Sequence, residues 1–405
     1  MTRAGAPLYD EGMGTQRTTG RAAQRAGAAE LRVTPEQVIA FRLERLGLAR
    51  RSRDVRSAAR EVGLPDFPPG AALAALAPRL DVLSPRALDD AFERREVVRA
   101  RAMRGAPVVV RSEDYDVFVS GVLPRDEASM RAFVGPAMTS VKAAGMSALD
   151  AVDLVTNEAT RALSKRSLDR DALHAELRRR LPEGLLPWCR ACESHHVHPS
   201  LLYAVALRGR FVLFPRDDGP YVVSLARRWL ERVEEVEHAP AELVRRFLRA
   251  YGPASVGELA AWAGVGGGQA KTMWKAVEGE LVPVVIDGSA AKRFVLRADR
   301  EALLSAKPAP VRIVSPGDPV LQMRDRDTLV PAALQRIVWK NLAPTGLLFA
   351  GARVAGVVRA KKKGQTLDVA IERVGKVDAK VRAAAEEEAA RLAALRGAKL
   401  ALSWT

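Results

Sequence analysis

Cysteine is scarce in this 405-residue chain, which contains only Cys189 and Cys192. Two thiols three positions apart cannot build the disulfide framework of a small secreted domain, so we expect a reducing compartment. No uninterrupted apolar run approaches the roughly 20 residues of a membrane-spanning helix, and no apolar signal-peptide core follows Arg3. The sequence therefore predicts a cytoplasmic protein without a membrane partner.

Two catalytic signatures are also missing. The glycines between Gly264 and Gly268 lack the Lys-Ser/Thr pair that completes a phosphate-binding loop. No Ser/His/Asp order typical of a nucleophilic hydrolase stands out along the chain. An NTPase is therefore disfavoured, and no cofactor is expected apart from the metal considered below.

Positive charge is abundant. Lys and Arg number 64 against 48 Asp and Glu, which gives a formal net charge of +16. Residues 308–405 carry 17 Lys and Arg against 9 Asp and Glu, about half of that excess. Such a bias favours a polyanion, so nucleic acid is the expected partner. The alternative is an arginine-rich surface that has no specific partner.

The length and the order of predicted elements indicate several domains of an α+β class. Residues 1–30 mix small and basic residues without periodicity and predict a disordered basic tail. A pattern of helices followed by a strand hairpin recurs over 31–125, 136–225 and 238–305, which predicts three tandem winged-helix units. Alternating short strands over 308–405 predict a small basic β-barrel-like domain that ends in a helix.

Local signals place several elements. Thr34 and Gln37 stand at capping-box spacing around Pro35, and Ser255 and Glu258 repeat that spacing in the third unit. Gly264 then follows where a helix-turn-helix needs a tight turn. The third unit is therefore the clearest of the three, and the short helix after Gly264 is the candidate recognition helix.

Candidate DNA contacts fall in three places. The first hairpin, the third recognition helix and a turn in the last domain supply them: Arg95, Arg99, Arg101 and Arg104; Gln269, Lys271, Thr272 and Lys275; and Lys361, Lys362 and Lys363. An extended strand can set alternate arginines along a phosphate backbone. The alternatives are a charged edge strand protected from aggregation and a plain solvated turn.

The two cysteines are followed at once by three of the five histidines. A tetrahedral zinc site takes thiolate and imidazole donors, so Cys189, Cys192, His195 and His198 are candidate structural ligands. The spacing is shorter than that of a usual second ligand pair, and the same residues can cap a helix or remain reduced thiols. No general base is evident nearby, which disfavours catalytic zinc. Zinc and no metal both stay open.

Four segments together carry a resemblance to a known family: Thr34–Val38, Val98–Gly105, Cys189-x-x-Cys192 and Gly317–Arg326. Over about residues 34–395 the chain resembles the AlkZ/YcaQ-like winged-helix family. Its characterised members are DNA glycosylases that remove alkylated bases and unhook interstrand crosslinks. The resemblance implies three winged-helix units and a β-barrel arranged around double-stranded DNA, alkylated or crosslinked.

The catalytic motif implied by that resemblance is not met. Active members resemble one another in a short Gln-x-Gln or Gln-x-Asp motif after the first helices, where this chain has Pro65-Asp66-Phe67. Departure of an alkylated purine requires only positioned water and stabilisation of an oxocarbenium-like sugar. Asp66 is therefore the candidate catalytic residue, as a displaced base or a stabiliser of the sugar cation, and capping of a turn in a proline-rich loop is its alternative role.

Two functions follow from these residues. The family resemblance favours a DNA-repair glycosylase, whereas the replaced motif favours a non-catalytic DNA-binding regulator or damage sensor. A regulator usually reads paired half-sites as a dimer, and the sequence offers no heptad segment for a dimer interface. We therefore expect a monomer.

Overall fold

The computed structural model of the chain describes residues 30–216, 219–233, 236–340 and 344–405. The predicted basic tail, residues 1–30, lies outside the described residues except for Glu30. The described chain is a mixed α+β protein with several separate sheets. No helix in these ranges is both long and apolar enough to cross a membrane.

The helices are α1 Pro35–Arg45, α2 Val55–Ala58, α3 Ala71–Leu76, α4 Ala87–Glu93, α5 Tyr115–Val122, α6 Glu127–Val134, α7 Met138–Ala143, α8 Ala148–Leu163, α9 Arg170–Arg178, α10 Pro199–Arg208, α11 Ala239–Tyr251, α12 Val256–Ala263, α13 Gly267–Lys275, α14 Arg300–Leu304, α15 Arg326–Leu329, α16 Ala332–Val338 and α17 Ala379–Leu395.

The strands are β1 Leu31–Val33, β2 Leu64–Pro65, β3 Val97–Arg101, β4 Pro107–Arg111, β5 Leu168–Asp169, β6 Trp188–Cys189, β7 Ser194–His195, β8 Phe211–Arg216, β9 Gly219–Leu225, β10 Leu281–Ile286, β11 Arg293–Leu296, β12 Arg312–Val314, β13 Gly346–Ala350, β14 Arg353–Lys363, β15 Thr366–Arg373 and β16 Lys399–Trp404.

Local chemistry explains how the predicted helices begin and end. Both capping boxes are present, because Thr34 and Ser255 each accept a backbone N–H three residues on and are bonded in return by Gln37 and Glu258. Gly264 ends α12 with φ 76°, a left-handed conformation that favours glycine. The sequence predictions for α1, α12 and the turn after α12 are therefore confirmed.

The sheets connect segments that are distant in sequence. A six-stranded sheet has the order β2-β4-β3-β8-β9-β5, so the first hairpin and the hairpin at 211–225 share one sheet. The junction is narrow, because Ala100 and Val212 are the registered pair between β3 and β8. Strand β1 pairs in parallel with β10, joining the start of the described chain to the third hairpin.

The C-terminal region corrects one expectation. Its five strands have the order β12-β13-β14-β15-β16, and none of the described sheets closes into a barrel. Strand β16 pairs in parallel with β15 after the chain crosses over through α17, which leaves β12 and β16 at opposite edges. Ala385, Ala389 and Leu392 of α17 are buried with β14 and β15 in one apolar cluster. A helix therefore covers the face of an open sheet.

The segment after β12 is tied to the first helices by buried ion pairs. Asp318 accepts two hydrogen bonds from Arg79, at 2.6 and 2.8 Å, and both side chains are almost fully buried. Gly317, with φ 84°, lies so close to the loop after β2 that a Cβ there would be 3.4 Å from the carbonyl oxygen of Phe67. The motif at 317–326 is thereby held beside the loop that contains Asp66.

Candidate functional site

A buried polar cluster forms where β2 ends. Strand β2 pairs with β4, and the Asp66 N–H donates to the carbonyl of Pro107 at 2.8 Å. Arg99 projects from the neighbouring strand β3, and its Nε donates to Asp66 Oδ2 at 2.8 Å. The Tyr221 hydroxyl donates to the same oxygen at 3.1 Å. Residues from three strands of one sheet therefore converge on a single carboxylate.

The Asp66 carboxylate is enclosed, with 1% of the residue exposed. Its other oxygen, Oδ1, accepts the N–H groups of Gly70 at 3.0 Å and Ala72 at 3.1 Å. The two oxygens thus accept four hydrogen bonds, about the full capacity of an ionised carboxylate. The side chain holds the loop against the first turn of α3, which is the turn-capping role considered as the alternative for this residue.

Arg99 is fixed between two aromatic rings. Its guanidinium carbon lies 4.7 Å from the ring centres of both Phe92 and Tyr221. Burial, followed by the nearby charge of Asp66, raises the pKa of Tyr221 to about 12, so this hydroxyl keeps its proton at neutral pH. Arg99 itself is only 3% exposed. Its guanidinium therefore acts within the cluster, although the sequence placed it among the phosphate contacts.

The positions that flank Asp66 differ in exposure. Pro65 belongs to β2 and is partly buried, whereas the Phe67 side chain is 68% exposed, which is unusual for a large apolar residue. In the sequence, this exposed ring directly follows Asp66 of the buried cluster. An exposed aromatic ring offers a stacking surface for a base.

The other arginines of the first hairpin have different surroundings. Arg95 is exposed and its guanidinium lies 5.3 Å from the Trp229 ring centre. Arg101 donates to the carbonyl of Gly105 at 2.7 Å, and burial lowers its pKa. Arg104 donates to the carbonyl of Trp262 at 2.8 Å, which ties the hairpin to α12. Of these three, Arg95 and Arg104 are exposed and Arg101 is partly buried.

A cationic group that the sequence analysis did not single out lies beside Arg104. The Nε of Arg324 is buried and has no hydrogen-bond partner among the described residues. Burial, and then the positive charges of Arg104 and Arg326, lower the pKa of Arg324 to about 10. The positive charges of Arg104 and Arg326 are thus close enough to act on the Arg324 guanidinium. Such an arrangement favours an anion.

The candidate recognition helix α13 presents one side to solvent. Lys271, Thr272 and Lys275 are exposed. Gln269 faces the protein instead, since its Nε2 donates to the carbonyl of Val122 at 3.0 Å at the end of α5. Three of the four predicted α13 residues are therefore available to a partner, and the fourth fixes the helix.

The cationic turn of the last domain is open. Lys361, Lys362 and Lys363 end the long strand β14 and are all exposed. Lys362 donates to the carbonyl of Arg396 at 2.8 Å, and Lys363 pairs with Asp368 at 2.9 Å. These contacts lie at the surface, where ion pairs contribute little and give way readily to another partner.

The two cysteines lie close to His196, whereas the sequence predicted His195 and His198 as the histidine ligands. One ligand atom each from Cys189, Cys192 and His196 lie within 4.8 Å of one another. His195 lies on the opposite face of the β6–β7 hairpin, with its ring 5.1 Å from that of Trp188. His198 caps α10, because its Nδ1 accepts the N–H of Ser200 at 3.2 Å. The alternation of side chains along β7 is the signal that distinguishes 196 from 195.

The thiol of Cys189 is the more acidic of the two. The backbone N–H of Cys192, then the side chains of His196 and Cys192, lower the pKa of Cys189 to about 7. Hydrogen bonding to Cys189 first, and then partial burial, raise the pKa of Cys192. A substantial fraction of Cys189 is therefore thiolate at neutral pH, the form that binds metals.

Comparison with known families places the chain in a class of DNA glycosylase-like proteins. The chain is matched over residues 59–395 by the model of the AlkZ-like DNA glycosylase family, to which it belongs. In fold it is similar to the Streptomyces sahachiroi DNA glycosylase AlkZ, with a TM-score of 0.74 at 19% identity, covering 93% of this chain and 100% of that one. No curated protein matches the chain. Family membership supports a role in DNA repair and implies binding to DNA.

Proposed function

We propose that this chain is a monomeric, cytoplasmic DNA-repair glycosylase that binds duplex DNA carrying alkylated or crosslinked bases and hydrolyses the N-glycosidic bond. The observation that carries the proposal is the family match over residues 59–395. In this proposal 31–125, 136–225 and 238–305 are winged-helix units, and 308–405 is a basic domain that adds phosphate contacts. The net charge of +16 agrees with a polyanionic partner.

The third unit would read the duplex through α13. Lys271, Thr272 and Lys275 are exposed on this short helix, and Gln269 anchors it to α5. The antiparallel hairpin β10–β11 that follows would serve as the wing. A recognition helix enters the major groove while neighbouring parts contact the backbone, which suits two lysines close to a threonine.

Phosphate contacts come from two kinds of group. Exposed Lys361, Lys362 and Lys363 form the cationic turn of the last domain, and Arg95 adds a cation at the first hairpin. Arg324 is different because it is partly buried and its Nε has no partner. Because that atom is enclosed, a phosphate would approach the exposed part of the Arg324 side chain, attracted by the combined positive charge of Arg324, Arg104 and Arg326.

The chemistry proposed for Asp66 acts by charge. Departure of an N7-alkylated purine leaves positive charge on the sugar, and a nearby carboxylate stabilises it without accepting a proton. Phe67 would stack against the extracted base. The Tyr221 hydroxyl, which lies 3.1 Å from Asp66 Oδ2 and 3.2 Å from the Asp66 carbonyl oxygen, would donate its proton to Asp66 and keep its lone pairs for a water molecule. Asp66 would thus stabilise charge and orient Tyr221 from behind the exposed surface.

A specific observation favours a second candidate, a non-catalytic damage sensor. The Asp66 oxygens already accept four hydrogen bonds, and the residue is 1% exposed. A carboxylate in this state is unsuited to activate water directly. With Pro65 and Phe67 at the flanking positions, the same fold would bind damaged DNA and leave the base attached.

The deciding experiment uses duplex DNA that contains N7-methylguanine and measures released base, abasic sites and binding in parallel. Base release that is lost in Asp66→Asn and reduced in Tyr221→Phe, with binding retained, supports the glycosylase. Tight binding without release in the unmodified protein supports the sensor. Affinity that is absent at low salt, or that does not fall as salt rises, contradicts both.

A further inference from the structure

A sulfur and nitrogen cluster lies on the β6–β7 hairpin, apart from the Asp66 site. In the hairpin register Cys189 is opposite Ser194, whereas Trp188 is opposite His195. Because successive side chains alternate between the two faces of a strand, residues 194 and 196 share the face of Cys189. The donor atoms of Cys189, Cys192 and His196 accordingly lie within 4.8 Å of one another.

The hydrogen bonds of His196 identify which ring nitrogen is free. Its Nδ1 lies 2.9 Å from the carbonyl oxygen of Val197, which can only accept, so Nδ1 carries the proton. In the neutral ring Nε2 then has a free lone pair; it is buried, forms no hydrogen bond within normal distance and angle limits to any described residue, and has the Cys189 thiol as a neighbour. The residue is 8% exposed. A metal-binding histidine has this arrangement, with one nitrogen donating to a carbonyl and the other facing the ion.

A second histidine lies against the first. The His174 ring, on α9, has its centre 4.6 Å from that of His196. Its Nδ1 is also buried without a partner. His174, Cys189, Cys192 and His196 line one cavity between α9 and the hairpin. Two unpartnered imidazole nitrogens and two thiols around one space are unexplained by packing alone, because buried polar atoms are normally bonded.

We propose that Cys189, Cys192, His196 and His174 form a structural zinc site that joins the β6–β7 hairpin to α9. Two thiolates and two imidazoles are the donor set of closed tetrahedral zinc sites. Zinc–sulfur and zinc–nitrogen bond lengths require donor atoms about 3.3–3.8 Å apart, so small side-chain rotations bring Cys189, Cys192 and His196 into range from their 4.8 Å cluster. His174 lies outside that cluster but lines the same cavity, and its ring must turn toward the cluster to supply the fourth ligand. The proposal does not rest on the proposed glycosylase activity.

The test is a metal titration of the full-length protein, stripped with a chelator and kept reduced. Cobalt(II) replaces zinc in such sites and reports its ligands by colour. We expect one cobalt per chain, a thiolate-to-cobalt charge-transfer band with tetrahedral visible bands, and displacement by one equivalent of zinc. Cys192→Ser and His196→Gln should abolish the spectrum. His174→Gln should weaken binding at least tenfold and change the visible bands, since water would replace the fourth ligand.

The matched control is His195→Gln, a histidine of the same hairpin that faces away and bonds Leu186. It should bind cobalt like the unmodified protein. Absence of the thiolate–cobalt spectrum in the fully reduced, unmodified protein overturns the site. Equal losses in His195→Gln and His196→Gln overturn the ligand set. Far-ultraviolet circular dichroism of each variant separates lost ligands from lost folding.

Discussion

The centre of the molecule and its C-terminal sheet each contain a buried carboxylate beside two arginines. The two regions differ in whether the arginines stabilise the ionised carboxylate. At the centre, Asp325 accepts Arg42 through one oxygen at 2.9 Å and Arg293 through the other at 2.8 Å. Burial alone would raise the pKa of Asp325, but the charges of Arg42 and Arg293 outweigh it, and the pKa is lowered. The arginines here stabilise the ionised form.

At the C-terminal sheet the balance is reversed. Glu388 on α17 contacts Arg51, but its bond from Arg312 measures 3.4 Å and that from the Ile313 N–H also measures 3.4 Å. Burial raises the pKa of Glu388, and the nearby arginines do not compensate. Two arginines beside a buried carboxylate are therefore not enough to stabilise its ionised form. Short hydrogen bonds to both oxygens are needed to offset the desolvation of the charge.

The largest expected effect is at Asp325. Asp325→Ala leaves Arg42, which is fully buried, without its carboxylate. Removal of one partner from a buried pair costs about 3–5 kcal/mol of the free energy of unfolding. Denaturant unfolding at pH 7 measures this loss. The control is Asp327→Ala, an exposed residue two positions on, which should change stability by less than about 0.5 kcal/mol. Equal effects of both substitutions would break the comparison.

The pH dependence of stability tests the lowered pKa of Asp325. A carboxyl group whose pKa is lower in the folded state stabilises the fold above its unfolded pKa, about 3.9 for Asp, and this stabilisation is lost as the pH falls through the folded pKa. The stability difference between the unmodified protein and Asp325→Asn should be complete at pH 7 and shrink below about pH 4. Unfolding curves at several pH values measure it. A difference that stays constant would contradict the lowered pKa.

The next largest effect is expected on DNA affinity and concerns Arg324. Arg324 directly precedes Asp325, yet its Nε has no partner. If a phosphate binds the exposed part of this side chain, Arg324→Ala should weaken duplex binding about five- to tenfold and reduce the salt dependence by about one ion. Stability should change little. Binding titrations over a range of salt, with exposed Arg336→Ala as the control, measure both quantities. An unchanged salt slope argues against a phosphate there.

Sequence reasoning identified features set by neighbouring residues. The capping boxes at Thr34 and Ser255 and the turn at Gly264 depend on residues a few positions apart, and all three are present. Asp66 itself was singled out as a candidate residue. Its partner Arg99 is 33 positions away, and the Asp325–Arg42 pair spans 283, so no local pattern could indicate either contact.

The barrel expectation was wrong for a related physical reason. Alternating strands over 308–405 were recognised, but strand β16 Lys399–Trp404 was not, and its parallel pairing with β15 through α17 keeps the sheet open. In the Cys–His segment, likewise, composition pointed to histidines without distinguishing their faces. Only the hairpin register shows that His196, and not His195, shares the face of Cys189.

The smallest expected effect is at Glu388. A group whose pKa is raised in the folded state favours folding below its unfolded pKa, about 4.3 for Glu, and that contribution is lost as the pH rises through the folded pKa. Ionised Glu388 therefore opposes folding at pH 7, and Glu388→Gln removes the charge while keeping the shape. Arg312 retains its bond to the carbonyl of Leu48 at 3.0 Å, and Arg51 is partly exposed. We expect a change within about 0.5 kcal/mol of zero at pH 7, measured by denaturant unfolding. A loss of stability comparable to that of Asp325→Ala would show that the longer hydrogen bonds at Glu388 offset the desolvation of its charge.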